Sequence, residues 1–169
     1  MYEQRMNKFS KVAVVVMSFI VLTVSGCSKT SNEEKIKEFL EVVLNAPNEK
    51  IAEVIKLDPR SDDYTVNIEE AMEELLKEHV SKDVIENQAT GLYQDILMYQ
   101  GFASQYEKEF VIDQLEVKEH GDSNYTYEAK MHTKDIDESF VINGSIQLND
   151  KDEIDYMTID MDPNPFVME

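Results

Sequence analysis

The spacing of apolar residues divides the chain into a helical half and a strand-rich half. After Ser31, apolar residues recur every three or four positions, which is the period of a helix that buries one face. From about Glu107, apolar and polar residues alternate, as they do in a strand with one face in a core. The pattern therefore predicts helices first and strands afterwards.

Two helices are predicted before residue 58. Ser31 and Glu34 have the spacing of a capping box, and the first helix is expected to end near Asn45, before Pro47. Asp58-Pro59 stops the second, shorter helix, because the residue before a proline disfavours helical geometry. The predicted core positions of these helices are Ile36, Phe39, Leu40, Val43, Leu44, Ile51, Val54 and Ile55.

Two more helical segments follow a predicted loop over residues 58–64. Asn67 is the predicted N-cap of the third helix, and Ser81 is the predicted N-cap of the fourth. Gly91 falls inside the apolar pattern of the fourth segment, so an interruption is predicted there. The predicted core positions of the two segments are Ile68, Ala71, Met72, Leu75, Leu76, Val80, Val84, Ile85, Leu92, Ile96, Leu97, Tyr99 and Phe102.

In the first of four predicted strands, the alternation of apolar and polar residues shifts by one position near the middle. Phe110 and Ile112 are in phase with each other. Leu115 and Val117 are in the opposite phase, so one extra residue near Asp113 is needed to bring all four to one face. We therefore predict a β-bulge at this point.

The other strands complete an antiparallel meander. The fourth strand, from Ile154 to about Met161, shows a similar slip between Tyr156 and Ile159. Helices followed by such a sheet predict an α+β fold, with N-terminal helices packed on a curved four-stranded antiparallel meander in a cone-like arrangement. The predicted core positions of the second and third strands are Tyr125, Tyr127, Ala129, Met131, Phe140, Ile142, Gly144, Ile146 and Leu148.

The first 26 residues have the pattern of an export signal. Arg5, Lys8 and Lys11 precede an apolar run over residues 12–24. As a helix this run spans about 20 Å, which is shorter than the ~30 Å hydrocarbon core that a transmembrane helix crosses. The run ends in Val24-Ser25-Gly26-Cys27, and Cys27 is the only cysteine of the chain.

These four residues resemble the lipobox of bacterial lipoproteins, in which an aliphatic residue and two small residues precede a cysteine that receives a diacylglycerol. The resemblance implies cleavage between Gly26 and Cys27, and lipidation of Cys27 with diacylglycerol and palmitate. An uncleaved anchor and a freely secreted protein are the alternatives.

The lipobox resemblance also sets the expected organisation of the chain. It implies a signal peptide over 1–26 and a lipidated tether over 27–32. The pattern of helices and strands then predicts a domain over 33–161 and a C-terminal tail over 162–169. The protein would then be lipid-anchored on the extracytoplasmic face of the cell membrane.

The net negative charge of the chain limits the kinds of molecule that it is expected to bind. The net charge is −19, and removal of residues 1–26, with three basic residues and one acidic residue, changes it to about −21. Such a surface repels the phosphates of nucleic acids and anionic lipid headgroups. We therefore expect no nucleic-acid partner, and the acidity itself is typical of a domain that must stay in solution. The open edges of the predicted sheet could pair in a dimer, but the acidic residues of the hairpins disfavour such pairing, so a monomer is expected.

The order of elements resembles the nuclear-transport-factor-2-like fold found in small extracytoplasmic lipoproteins of Gram-positive bacteria. The resemblance covers residues 33–161 and includes the hairpin over 149–153 before the last strand. Enzymes of that superfamily place an acid and a base in the cone, and no such pair is identified here. A cystatin-like helix-on-sheet domain is the alternative.

Motifs for metal chemistry are weak. Residues 150–155 carry oxygen ligands at alternate positions but lack the glycine and glutamate of a calcium loop, so a solvated hairpin tip is favoured. His79 is expected to cap or pack against a helix end. His120 is expected in a turn, and His132 on the polar face of its strand without the neighbours of a zinc site. We expect no catalytic residue, no metal ligand and no cofactor other than the lipid on Cys27.

Tyrosine gives the one signal for a ligand. In a cone-shaped domain, several tyrosines from different elements line a small-molecule pocket or fill the core, and the core is favoured. The candidate pocket-lining residues are Tyr93, Tyr99, Tyr125, Tyr127 and Tyr156.

Three function classes follow from the sequence. The favoured one is a non-catalytic binding or interaction module with an extracytoplasmic or membrane protein as its partner. The second is a small-ligand-binding lipoprotein that serves a transporter. The third is a cone-fold enzyme, which needs His79 or Asp113 to face the cavity with a perturbed pKa.

Overall fold

A computed structural model describes residues 31–87, 91–134, 136–161 and residue 166. The chain divides into two units, Met1–Ser31 and Asn32–Glu169, and all described elements belong to the second. The predicted signal peptide, its cleavage site at Gly26 and the lipidation site at Cys27 lie outside the described residues. So does the predicted tail, apart from Phe166.

Among the described residues, five helices precede the sheet. No helix among the described residues is long and apolar enough to cross a membrane. The helices are α1 (Asn32–Leu44), α2 (Glu49–Ile55), α3 (Asp62–Leu76), α4 (Lys82–Glu86) and α5 (Gly91–Gln105).

Side-chain caps explain where the middle helices begin. The Asn48 Oδ1 atom accepts hydrogen bonds from the backbone N–H groups of Lys50 and Ile51, at 3.0 and 3.3 Å, and starts α2. Ser61 caps α3, because its Oγ accepts the Tyr64 N–H at 3.1 Å. The prediction that Asn67 caps this helix was wrong. Ser61 makes the capping bond six residues earlier, and Asn67 lies inside α3.

The strands form one antiparallel sheet in the order β1-β2-β3-β4, with β5 also paired to β3. The α+β fold is therefore confirmed, with the helices before the strands. The strands are β1 (Phe110–Glu119), β2 (Asn124–Thr133), β3 (Ile136–Leu148), β4 (Ile154–Met157) and β5 (Asp160–Met161).

Bulges adjust both outer strands. The register of β1 against β2 shifts between Ile112 and Gln114, which confirms the bulge predicted at Asp113. In β4 the shift lies at Asp155, because Leu148 pairs with Ile154 whereas Gln147 pairs with Tyr156. The predicted slip between Tyr156 and Ile159 was therefore misplaced. β4 and β5 keep the same register against β3.

Backbone hydrogen bonds fasten the helical half to both edges of the sheet. Ala46, after α1, exchanges two hydrogen bonds with Phe110 on β1, at 2.7 and 3.2 Å. Ser81, before α4, donates its N–H to the Ile154 carbonyl of β4 at 3.1 Å. Both edges of the sheet therefore have backbone partners at these points, which protects them from pairing with other chains.

A close contact within the sheet requires glycine. A Cβ added to Gly144 would overlap the Thr158 carbonyl oxygen and lie 2.6 Å from the Tyr127 ring. The Tyr127 hydroxyl donates to that same carbonyl at 2.8 Å. Gly144 therefore leaves room for the Tyr127 ring to lie across the sheet surface. The Tyr127 hydroxyl can then bond the carbonyl of Thr158, which lies between β4 and β5.

Candidate binding face on helix α5

Three hydrogen bonds hold α5 against the connection between α1 and α2. The Tyr99 hydroxyl donates to the Leu44 carbonyl at 2.9 Å. The Gln100 side chain donates to the Val43 carbonyl and accepts the Asn48 N–H, both at 2.6 Å. Because Tyr99 and Gln100 are buried, these bonds fix the rotation of α5 about its axis and decide which residues face outward.

The outward side of α5 carries no charge. We call this side the uncharged face and define it as Gln94, Leu97, Met98, Gly101, Phe102 and Gln105. Met98 is 57% exposed and Phe102 is 38% exposed, and Tyr106, directly after the helix, is 49% exposed. The only charged residue of α5 is Asp95, which lies outside this set.

A shallow groove runs beside the uncharged face. Ile55 from α2 and Tyr64 from α3 form its other wall, and its volume is about 260 Å³. Its eight lining residues are all uncharged, in a chain where 30% of the residues are charged. The composition of this groove therefore differs from that of the rest of the acidic chain, and the packing of the core does not require the difference.

Two other grooves on the described part of the chain are charged. One of about 390 Å³ lies between α2 and α3 and includes the ion pair between Lys50 and Glu74. Another, of about 530 Å³, has four glutamates and two lysines around Tyr93. The Lys50 ammonium lowers the pKa of Glu74 through its hydrogen bond and its charge. These grooves are typical of a solvated acidic surface.

Four of the five candidate pocket tyrosines belong to the interior. Tyr93, Tyr99, Tyr125 and Tyr127 are at most 4% exposed. The hydroxyls of Tyr99 and Tyr127 donate to backbone carbonyls, and burial raises the pKa of both well above the ordinary tyrosine value. Burial and the nearby Glu69 carboxylate also raise the pKa of Tyr93, the member of the five that lines one of the grooves.

Tyr156 is 47% exposed and lies on the outer side of the sheet. The bulge at Asp155 places two successive residues of β4 outward, between the buried Ile154 and Met157. The structure therefore does not bring Tyr156 together with the other four tyrosines.

The residues considered for catalysis lie apart from the interior. The His79 ring packs against Phe39 with 6.0 Å between centroids, consistent with packing at a helix end. Asp113, the bulge residue, accepts a hydrogen bond from His132 across the strands at 2.9 Å, and both side chains are substantially exposed. Sequence reasoning missed this pair, because only the register of β1 on β2 brings the two residues together.

The remaining residues considered for metal binding form ordinary turn structure. His120 Nε2 lies 2.9 Å from the Thr126 hydroxyl. In the hairpin over 149–153, Asn149 Oδ1 accepts the N–H groups of Lys151 and Glu153, which closes the turn. No group of three or more metal-ligating side chains occurs among the described residues.

Comparisons with protein families and with curated proteins give no match. Among solved structures, the chain is similar to a de novo designed β-sheet protein determined in solution by NMR. The identity is 15% and the TM-score is 0.34, over 74% of this chain and 89% of the designed one.

Proposed function

We propose that the protein is a membrane-anchored extracytoplasmic lipoprotein whose α+β domain is a non-catalytic interaction module. In this proposal the lipid on Cys27 holds the domain at the membrane, and the uncharged face of α5 binds a protein partner. The resemblance of Val24-Ser25-Gly26-Cys27 to a lipobox supports the anchor. The nuclear-transport-factor-2-like and cystatin-like assignments of the fold remain predictions.

The observation that carries the proposal is the composition of the uncharged face. Exposed apolar side chains that are grouped, and that are rimmed by polar residues, mark interaction sites on soluble domains. Met98 and Phe102 on the uncharged face, and Tyr106 directly after the helix, are spaced four residues apart and are all exposed. Methionine and aromatic side chains are enriched at protein interfaces, whereas lysine, glutamate and aspartate are depleted there.

The size of the groove favours a protein partner over a small ligand. Small-molecule pockets usually enclose about 300–1,000 Å³, and the groove beside the uncharged face holds about 260 Å³ and is shallow. Such a groove accepts side chains from an opposing surface. The surrounding acidic surface disfavours anionic lipid and nucleic acid as the occupant.

A crosslinking experiment in cells tests the proposal. The tagged full chain is crosslinked at the intact membrane, and the products are identified by mass spectrometry. Cys27→Ala tests the anchor and Met98→Lys tests the uncharged face. Val66→Lys is the matched control, because Val66 is an exposed apolar residue on α3, 53% exposed against 57% for Met98.

The expected result is a reproducible protein partner that wild type and Val66→Lys both capture. Cys27→Ala should move the protein out of the membrane fraction and lose the partner, and Met98→Lys should lose the partner at the membrane. Equal capture by Met98→Lys and wild type would contradict the assignment of the binding face. Retention of Cys27→Ala in the membrane fraction would contradict the lipid anchor.

A further inference from the structure

Part of the sheet edge formed by β1 has no backbone partner among the described residues. β1 is the first strand in the order of the sheet, so β2 occupies one of its sides and the other side is an edge. Ala46 pairs with Phe110 on that edge, and the Asn45 Oδ1 atom accepts the Ile112 N–H at 2.9 Å. No described element pairs with the edge after Ile112. We call residues 114–119 on this side the open edge.

The β-bulge in β1 decides which backbone groups the open edge presents. After the bulge, the His120 N–H donates to the Asn124 carbonyl at the start of β2, at 2.8 Å. Backbone groups alternate in direction along an antiparallel strand, so the even-numbered residues of this segment bond β2 and the odd-numbered ones point away from it. The N–H and C=O groups of Leu115, Val117 and Glu119 therefore face the open edge.

Two side chains of opposite charge lie on the solvent side of the open edge. Glu116 and Lys118 contact each other at 3.0 Å, and their side chains are 60% and 69% exposed. Such an exposed pair contributes little to stability within one chain. Glu116 also lies directly opposite Glu128 on β2, and like charges in that position repel each other. A positive charge on the open side of Glu116 would offset this repulsion.

A second copy of the chain can supply that positive charge. Two copies of β1 can pair antiparallel about a twofold axis, so that the same surface is used on both copies. With the axis at Val117, the backbone groups that face the open edge meet each other, and Glu116 of each copy lies opposite Lys118 of the other. With the axis one residue to either side, Glu116 lies opposite Glu116, or Lys118 opposite Lys118. Charge therefore favours the axis at Val117.

The acidity of the chain is the main force against such a pair, and the acidic hairpins were the reason to expect a monomer. Pairing through the edge places the two copies side by side, so most acidic groups of one copy lie far from those of the other. Charges more than about 8 Å apart are largely screened at physiological ionic strength. The charges directly across the edge therefore weigh more in the pairing than the net charge does.

We propose that the open edge of β1 binds the open edge of a second copy, which joins the two sheets into one continuous antiparallel sheet with its twofold axis at Val117. This inference goes beyond the proposed function, because it uses a different surface from the uncharged face of α5. The partner at this surface is the chain itself.

Disulfide crosslinking of the anchored full chain in cells tests the register. Glu116→Cys and Lys118→Cys are placed in differently tagged copies that are expressed together, and a thiol oxidant is added. In the proposed register these two positions form a pair without hydrogen bonds, whose Cα atoms lie about 4.5 Å apart, within the range that a disulfide bridges. The opposite side of the axis keeps its ion pair. Asn143→Cys on β3 is the matched control, because Asn143 is exposed on the same side of the sheet but lies on an interior strand.

The mixed disulfide should form at least tenfold more often than a link between two copies of the same variant. Asn143→Cys and the wild type, which has only Cys27, should give no linked dimer. Absence of the mixed link would overturn the inference. So would a predominant link between two copies of Glu116→Cys, since it would place the axis at a different residue.

Charge variants test the cause of the pairing, by co-purification of two differently tagged copies. Glu116→Lys alone, or Lys118→Glu alone, places like charges opposite each other on both sides of the axis and should reduce co-purification at least tenfold. Expression of the two variants together should restore it, because each lysine then lies opposite a glutamate. Circular dichroism checks that each variant folds. Folded single variants that co-purify as well as wild type, or a combination that does not restore pairing, would contradict the proposed register.

This inference and the proposed function fail separately, because none of these variants changes α5. Mixed disulfides without any other captured partner would keep the dimer and remove the proposed function. A captured partner that depends on Met98, without mixed disulfides, would keep the proposed function and remove the dimer.

Discussion

Helices α3 and α5 are the same length but have opposite outer faces. Each has 15 residues and buries one side in the common core. The outer face of α3 is rich in acidic residues, including Glu69, Glu70 and Glu73, whereas α5 has one charged residue in total. Both helices bury an apolar face in the core, so the two helices differ on their solvent-exposed faces. Folding explains the inner faces, and the proposed binding of a partner would explain the uncharged face of α5.

The largest expected effect tests whether the inner faces are equivalent. Leu76→Ala on α3 and Ile96→Ala on α5 each remove a fully buried side chain. Each should lower the free energy of unfolding by about 2–5 kcal/mol, from lost burial and a residual cavity. Urea unfolding of the two variants measures this. A loss near zero for Ile96→Ala alone would mean that α5 is not part of the same core.

Buried tyrosines should make the fold sensitive to alkali. Burial raises the pKa of Tyr99 on α5 and of Tyr127 on β2 above the ordinary value of 10.0, so the folded state keeps protons that the unfolded state loses. Their contribution to stability is fully present below pH 10 and falls as pH rises above it. The fall is about 1.4 kcal/mol per pH unit for each tyrosine.

Urea unfolding at a series of pH values between 9 and 11 measures this alkaline loss. Tyr99→Phe should make the loss above pH 10 less steep than in wild type. An identical slope in the two proteins would show that Tyr99 ionises as freely in the folded state as in the unfolded one.

The hydroxyl of Tyr99 should also contribute at neutral pH. Tyr99→Phe leaves the buried Leu44 carbonyl without its donor, so we expect a loss of about 1–3 kcal/mol. Tyr156→Phe is the matched control, because Tyr156 is half-exposed, and its effect should be close to zero. Thermal and urea unfolding at pH 7 compare the two variants. If the two variants lose the same amount of stability, the Tyr99 hydroxyl does not hold α5 in place.

The smallest expected effect concerns the outer faces. Met98→Lys and Val66→Lys each replace an exposed apolar residue, so each should change stability by no more than about 0.5 kcal/mol. Unfolding midpoints check this. A large loss in Met98→Lys would mean that the exposed part of α5 supports the fold, and the comparison with α3 would lose its meaning.

The periodicity of the sequence predicted most of the fold because burial follows it closely. The alternation in β2 and β3 predicted their core faces, and the phase change around Asp113 predicted the bulge in β1. The start of α3 was missed because most of its first turn is exposed and polar, and Tyr64 is its one partly buried side chain before Ile68. Ser61 followed by two aspartates was the available signal.

The bulge in β4 was misplaced because the burial of Tyr156 could not be judged from its type. Tyrosine suits both the core and the surface. The outward-facing Asp155 contacts Ser81. The Ser81 hydroxyl donates to the Asp155 carboxylate at 3.0 Å, and the two residues are 74 positions apart in the chain. Contacts of that separation have no signature in local periodicity.

The uncharged face was only partly visible in the sequence. The sequence itself shows that residues 91–105 carry little charge. The spacing of their apolar residues, however, placed Phe102 in the core. The rotation of α5 depends on the bonds from Tyr99 and Gln100 to the α1–α2 connection, and those partners are more than 50 residues away. Only the fold shows which apolar residues of α5 remain outside.

Site-specific photocrosslinking in living cells tests the central claim most directly, that the outer face of α5 is the binding surface. A photoreactive amino acid is placed at Met98 in one strain and at Val66 in another, both in the anchored full-length protein. We expect one crosslinked protein of the same mass from Met98 in every replicate, and none from Val66. The same products from both positions, or a partner from Val66 alone, would contradict it.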